Sequence, residues 1–288
     1  MILHYTIKPN IYGTIAASFL KIPTINNIAG LGTLFVKYNM ITSIAQQLYK
    51  FSQSQASHIF FQNRNDLQMF IERGLVKQDK CDVLPGSGID TTKYLPREKE
   101  KTDKVVFLLI ARMLWEKGVG EYVEAARKIK EHYPHCEFQL LGFLDVENPS
   151  AISKEQMETW EKEGTINYLG ATDDVPRFIA KADCVVLPSF YREGTPRTLL
   201  ESASMSKPII TTDNVGCRDV VDDEINGYIC EPKNTKNLQE KIEKFLSLNE
   251  EEIKKMGEKS REKMIAQYDE SIVIEKYKEA IAGVLKTR

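Results

Sequence analysis

The 288-residue chain has little of what builds a covalent or metal-held framework. Its five cysteines, at 81, 136, 184, 217 and 230, are odd in number and contain no C-x-x-C pair. That argues against a disulfide scaffold and for reduced core or surface thiols in a cytoplasmic protein. His4, His58, His132 and His135 show no ligand spacing, so zinc chemistry is not expected. A net charge of -2 and a pI near 6.2 provide no field that would draw nucleic acid. No apolar run reaches the roughly 18 residues of a membrane span, and the first residues carry no signal-peptide pattern. A soluble or peripheral protein is expected. The apolar segment 19–40, with Lys21 and Lys37, is expected in the core, with contact to a membrane surface as the alternative.

What the chain does have is alternation. Residues 2–7 read as a strand, 8–13 as a loop entering a helix that ends near Leu20, and 22–28 as a second strand followed by Gly30-Leu-Gly32. Residues 40–56 have helical spacing at Ile44, Leu48 and Phe51; 58–62 read as a strand; Asn65-Asp66 is expected to cap a short helix stopping at Gly74; 81–85 is a further strand. A Lys/Glu-rich stretch from Lys93 to Lys104 reads as a solvated connector. Beyond it, strands at 105–110, 137–141, 166–169, 184–187 and 208–212 alternate with helices at 118–131, 153–163, 175–181 and 196–205. From Thr235 the pattern is helical only. This alternation predicts an α/β protein with a parallel, doubly wound sheet. The expected domains are 1–92 and 93–267, with a helix at 268–288 packing back on the first.

Two strand-to-helix junctions hold the residues suited to chemistry. Asp183-Cys-Val-Val-Leu-Pro188 is a buried strand, and Tyr191-Arg-Glu-Gly-Thr-Pro-Arg-Thr-Leu-Leu-Glu201 follows it, with Thr195 as N-cap and Pro196 as first helical residue. Unpaired N–H groups between 195 and 198 favour an anion such as phosphate, and open α/β sheets bind ligands at this edge. Glu193 and Glu201 flank that opening, where a carboxylate can accept hydrogen bonds from the hydroxyls of a ribose or a hexose. Ile110-Ala-Arg-Met-Leu-Trp-Glu-Lys-Gly118 is the second junction. Its Arg112 can fork two phosphate oxygens, and Lys117 can act as a point charge beside it. Asp173-Asp174 and Asp222-Asp223 read as caps and turns, and no D-x-D triad is present.

The E-x7-E frame of Glu193 and Glu201 with Gly194-Thr195-Pro196 between, and the R-x4-K-G frame of Arg112 and Lys117, resemble the signatures of retaining glycosyltransferases of family 4, which have the GT-B fold of two Rossmann-like domains. Leu140-Leu-Gly142, Tyr168-Leu-Gly170 and Asn226-Gly227-Tyr228 agree with that family in order and spacing. Within it, Lys8-Pro-Asn-Ile-Tyr-Gly13, Gly30-Leu-Gly32 and Ala111–Gly118 resemble bacterial enzymes that build surface polysaccharide or oligosaccharide repeat units.

The resemblance implies transfer of a hexose or N-acetylhexosamine from a nucleotide sugar, with UDP expected, to a lipid-linked or saccharide acceptor, with retention. Undecaprenyl-diphosphate-linked saccharide at the inner membrane face is the implied acceptor, and no essential metal or cofactor is implied. Arg112 and Lys117 would clamp the pyrophosphate, Glu193 would orient the donor sugar and Glu201 would hold the ribose. Gly194, Thr195, Pro196 and Arg197 would line the donor site, and backbone at Gly142 and Leu169 would meet the base. Lys8, Asn10 and Gly32 are assigned to the acceptor cleft. Family members often carry a histidine near the donor sugar in the region matching residues 3–8, where this chain offers His4, Tyr5 and Lys8 without that pattern. The first domain is expected to be incomplete, short of the initial strands and Gly-rich loop. The alternative is therefore a truncated, inactive remnant that binds a nucleotide sugar without transferring it. An oxidoreductase reading fails because Gly30-Leu-Gly32 lacks the third glycine and the acidic partner. An epimerase on the same fold lacks an evident acid and base.

Overall fold

A computed structural model describes residues 1–30, 40–100, 102–144 and 146–286. The chain divides into two compact units, 1–88 with 192–196 and 267–288, and 89–191 with 197–266.

The first unit is built on a four-stranded parallel sheet of β1 (Ile2–His4), β2 (Thr24–Ile28), β3 (His58–Phe61) and β4 (Cys81–Val83), in that spatial order. After β1 a π-helical turn, Pro9–Gly13, runs directly into α1 (Thr14–Phe19), where the sequence predicts a loop. β2 is buried along its length, yet its Asn26 and Asn27 are polar. They belong to a buried network. His4 Nδ1 lies 3.0 Å from Asn26 Oδ1, Asn26 Nδ2 donates to Gln53 Oε1 at 2.8 Å, and Gln53 Nε2 donates to the Asn10 carbonyl at 3.1 Å. This network sets the roll of α2 (Met40–Gln55): Tyr49, Ser52 and Gln53 face inward, while Ile44 and Phe51 of the predicted apolar face are exposed. α3 (Arg64–Glu72) is capped by Asn63, whose Oδ1 accepts from the Asp66 N–H at 2.7 Å, and not by the predicted Asn65-Asp66 pair. Phe19 is 80% exposed and Leu20 is exposed beside it, so this end of the predicted core segment 19–40 lies on the surface.

The second unit is a six-stranded parallel sheet covered by helices. In chain order it comprises β5 (Val105–Ile110), α4 (Val119–His132), β6 (Cys136–Leu141), α5 (Lys154–Lys162), β7 (Asn167–Tyr168), α6 (Val175–Lys181), β8 (Cys184–Leu187), α7 (Arg197–Ser204), β9 (Ile209–Thr212), β10 (Gly227–Cys230), α8 (Thr235–Leu246) and α9 (Glu250–Lys263). The spatial order is β10-β9-β8-β5-β6-β7. β5 is wholly apolar because both its faces are covered, as in parallel sheets generally. Val119, Tyr122, Val123, Ala126 and Ile129 give α4 its buried stripe over the sheet. β10 adds an edge strand directly after Asn226, although Asn226-Gly227 has the composition of a turn.

The order reverses between β5 and β8, which pair directly at Phe107 with Cys184 and Leu108 with Val185. In doubly wound sheets the crevice outside the carboxyl ends of the strands at this switch point is where ligands bind. Four cysteines of the chain are buried and Cys81 is partly so; none is in a disulfide. The last helix, α10 (Glu270–Lys286), belongs to the first unit, where Val273, Tyr277, Ala280 and Ile281 cover Ile25, Phe60 and Leu84.

Candidate functional site

Both sequence-predicted junctions leave the switch point: residues 111–118 follow β5 and residues 188–191 follow β8. They are fastened to each other at one atom. The Glu116 carbonyl accepts the N–H groups of Phe190 and Tyr191, both at 3.1 Å, and the Ser189 hydroxyl at 3.2 Å. Gly118 completes the fit. It adopts a left-handed φ of 77°, and a Cβ there would stand 2.1 Å from the Pro188 carbonyl oxygen. No other residue can bring α4 this close to the β8 loop.

Lys117 comes to rest with its ammonium 5.3 Å from the centre of the Tyr191 ring, a cation–π distance. Arg112 is exposed at the start of the same loop. The rim extends to either side. Met113 N–H donates to the Phe143 carbonyl at 2.8 Å, and Gly142 N–H to the Gly170 carbonyl at 2.8 Å. Asn214, after β9, donates to the carbonyls of Ser189 and Tyr191. The loops after β7, β6, β5, β8 and β9 therefore form one hydrogen-bonded edge. Gly142 and Leu169 have their backbone N–H groups spent inside it, Leu169 donating to the Leu140 carbonyl at 2.8 Å.

Glu201, on α7, is 7% exposed. Its Oε1 accepts from the Tyr94 hydroxyl and from Arg197 Nε, each at 2.9 Å. Burial first, and then the Glu201 carboxylate, raises the Tyr94 phenol above its ordinary value; the hydrogen bond to Glu201 likewise raises Arg197. Tyr94 is itself anchored. Its carbonyl accepts from the Ser204 hydroxyl at 2.8 Å and from Arg261 Nη1 at 3.2 Å, and Arg261 also reaches the Ser204 and Thr91 carbonyls. The stretch expected to be a solvated connector thus begins with a docked residue. Tyr94 was missed because a lone tyrosine among lysines and glutamates gives no periodic signal.

The segment Arg192–Pro196 belongs to the first unit, and α7 begins one residue later than predicted, at Arg197. Arg192 Nε donates to Asp66 Oδ1 at 2.8 Å, and the Asp66 carboxylate is fully buried. Asn63 Nδ2 donates to Asp66 Oδ2 at 3.0 Å and reaches the Gly194 carbonyl at 3.4 Å. Gly194 is backed against the Ala29 carbonyl, which a Cβ would meet at 2.2 Å. The Thr195 hydroxyl donates to the Gln62 carbonyl at 3.2 Å. These contacts fix the backbone on both sides of Glu193, which is half-buried. Sequence reading missed Arg192 and assigned Asp66 to a cap.

Of the residues assigned to an acceptor cleft, Lys8 is exposed, Gly32 lies outside the described residues, and Asn10 is buried. The Asn10 Nδ2 donates to the Asn27 carbonyl at 2.8 Å, which joins it to the buried polar network of the first unit. His4 belongs to the same network. Among the described residues, no three His, Cys, Asp or Glu side chains gather as metal ligands. Among the described residues, no helix is long and apolar enough to cross a membrane.

The family model for glycosyl transferases group 1 matches residues 90–263. The chain is 33% identical over 296 residues to the N,N'-diacetylbacillosaminyl-diphospho-undecaprenol alpha-1,3-N-acetylgalactosaminyltransferase of Campylobacter jejuni, covering 97% of this chain and 76% of that one. It is 25% identical to the UDP-Gal:alpha-D-GlcNAc-diphosphoundecaprenol alpha-1,3-galactosyltransferase of Escherichia coli, covering 78% and 60%. Among solved structures, Anabaena HepE in complex with UDP shares the fold at TM-score 0.81 and 17% identity, over 98% of this chain and 78% of HepE. Sucrose-phosphate synthase of Thermosynechococcus elongatus does so at TM-score 0.85 and 15% identity, over 100% and 74%. Two parallel-sheet α/β units with these neighbours are the GT-B fold, and on its sequence this chain belongs to the glycosyl transferases of group 1.

Proposed function

We propose that this glycosyltransferase moves a hexose or N-acetylhexosamine from a UDP-sugar to an undecaprenyl-diphosphate-linked saccharide, with retention, in the assembly of a bacterial surface glycan. One observation carries the reading: the Arg112–Gly118 and Ser189–Tyr191 junctions share the Glu116 carbonyl at the switch point of the second sheet. That brings Lys117, with Arg112 on the same loop, to the place where such sheets bind phosphate-bearing ligands. The Escherichia coli relative takes UDP-Gal, and the Campylobacter relative acts on an undecaprenol-diphosphate-linked saccharide; both support the donor and acceptor classes. Action on a lipid-linked acceptor would bring the protein to the inner face of the plasma membrane as a peripheral component.

In this reading Arg112 forks the diphosphate and Lys117 adds a second positive charge. Both stabilise the charge that grows on the leaving UDP, the kind of electrostatic contribution that dominates many enzymatic rate enhancements. The acceptor hydroxyl attacks the anomeric carbon from the face that UDP leaves, its proton passing to the departing phosphate oxygen. Glu201, positioned by Tyr94, accepts hydrogen bonds from the ribose hydroxyls. Glu193, two residues along the chain from Tyr191, orients the donor sugar, with Gly194, Thr195 and Pro196 holding its backbone and Arg197 steadying Glu201. Backbone of the loops at Gly142 and Leu169 meets the uracil. Because the rim supplies its own cations, turnover is expected to continue in EDTA.

The test is a transfer assay with UDP-GalNAc, UDP-Gal, UDP-GlcNAc and UDP-Glc on a synthetic undecaprenyl-diphosphate-linked saccharide, with the product's anomeric configuration read by NMR. An α-linked product from an α-linked donor supports the proposal. A β-linked product, or absence of transfer with UDP still bound, overturns it.

A further inference from the structure

A cavity of about 360 Å³ lies in the second unit, within the range of roughly 300–1,000 Å³ usual for small-ligand pockets. It shares no residue with the set assigned to the nucleotide sugar. Its walls include Trp115, Glu121, Val123, Gln156, Trp160 and Thr235, from the turn before α4, from α4 and α5, and from the start of α8. The two indoles meet edge to face, with ring centres 5.7 Å apart. Trp160 is buried and Trp115 is 41% exposed, so the pair forms a supported apolar wall with one ring open to a ligand.

The charges on the wall are unequally committed. Arg127 is paired with both Glu124 and Glu163. By contrast, the side chains of Glu121, Gln156 and Thr235, all half-buried, have no partner among the described residues. The wall therefore offers one carboxylate acceptor, one amide that donates and accepts, and one hydroxyl that does both, beside an aromatic surface. A phosphate-bearing ligand would face Glu121 with no uncommitted cation to meet it.

We infer that this cavity is a saccharide-binding site separate from the donor site, taking a neutral hexose or N-acetylhexosamine unit of a glycan. The apolar C–H face of the sugar ring lies against the Trp115 indole, and its hydroxyls occupy Glu121, Gln156 and Thr235. A short organic cation is the competing occupant, because an indole beside a carboxylate also suits an ammonium group.

The chain has two tryptophans and both line this cavity, so intrinsic fluorescence reports its occupancy directly. The full chain is titrated with N,N'-diacetylchitobiose, with maltotriose and with tetramethylammonium, each with and without saturating UDP. The expected result is a saturable change in emission with at least one of the two sugars, unaltered by UDP and retained in Arg112→Ala. Glu121→Ala and Gln156→Ala should each require about tenfold more sugar, the size of a lost hydrogen bond to a charged or polar anchor. Three results overturn the inference: no change with either sugar, a change that survives both wall substitutions or disappears in Arg112→Ala, or a saturable response to tetramethylammonium alone. The outcome is independent of the donor assignment, since loss of UDP binding in Arg112→Ala leaves this readout intact.

Discussion

The Tyr94 hydroxyl donates to Glu201 Oε1 at 2.9 Å, and through that bond a residue from the linker stretch aims a carboxylate on α7. Arg197 shares the same oxygen, so the other carboxylate oxygen stays available for a ribose hydroxyl. Glu201→Ala is expected to weaken UDP binding about tenfold, the cost of removing a charged hydrogen-bond partner. Calorimetry with UDP lacking the ribose hydroxyls checks the cause: the wild type should lose affinity for it, whereas Glu201→Ala should not distinguish it from UDP. Equal discrimination by both proteins would detach Glu201 from the ribose.

Lys117 against the Tyr191 ring and Arg112 on the same loop lead to a second expectation. Arg112→Ala and Lys117→Met should each raise the Kd for UDP by about tenfold or more, as expected for a lost charge-assisted hydrogen bond, and leave uridine affinity unchanged. Arg112→Lys should not restore the loss, because an ammonium cannot fork two oxygens. Parallel losses for uridine and UDP would mean that these side chains serve the fold and not the diphosphate.

How much of this could be read in advance differs by element. Val175–Lys181 and Cys184–Leu187 begin and end where the hydrophobic period places them, because one is a sheet-covering helix and the other a buried central strand. The period fails at α2, whose inward face carries Ser52 and Gln53. A helix that docks on a buried hydrogen-bond network scores as if those positions were solvated. It fails again at Gly227–Cys230, where Asn226-Gly227 has the composition of a turn but continues into an edge strand. At the candidate site, Arg112, Lys117 and Glu201 stand out in the sequence as charged residues at fixed offsets after buried strands, and the structure sets them after β5 and on α7 as that spacing implies. Tyr94, Arg192 and the Glu116 carbonyl do not stand out, since their roles arise from long-range contacts and one of them is backbone.

A pH dependence of stability follows from Lys207, which is buried with its Nζ donating to the Ala180 carbonyl at 2.9 Å and the Ala182 carbonyl at 2.8 Å. Burial pushes this ammonium down to about 8. An unfolded lysine titrates near 10.4, so between these values the unfolded chain holds the extra proton. Stability contributed at this position therefore rises as pH increases from about 8 to about 10.4, and the penalty is complete below that window. Relative to Lys207→Met, the wild type should gain up to roughly 3 kcal/mol across it in urea unfolding. A constant difference between the two proteins from pH 7 to pH 11 would contradict the assignment.

The Arg192–Asp66 pair supports the most severe prediction. Asp66 has no exposed side-chain surface, and Arg192 and Asn63 are among the groups that compensate its carboxylate. Removing the guanidinium takes a charged partner away from a buried carboxylate, which typically costs about 3–5 kcal/mol. Arg192→Met should therefore lower the urea midpoint of the first unit sharply. It should also loosen Glu193 and Gly194, so sugar transfer should fall more than UDP binding, which depends on residues of the second unit. Asp66→Asn added to Arg192→Met removes the buried charge itself and should recover part of the stability without recovering transfer, because the anchor of the segment is still missing. If the single change leaves the midpoint within about 0.5 kcal/mol of the wild type, the level of an ordinary surface substitution, the pair is not what secures residues 192–196.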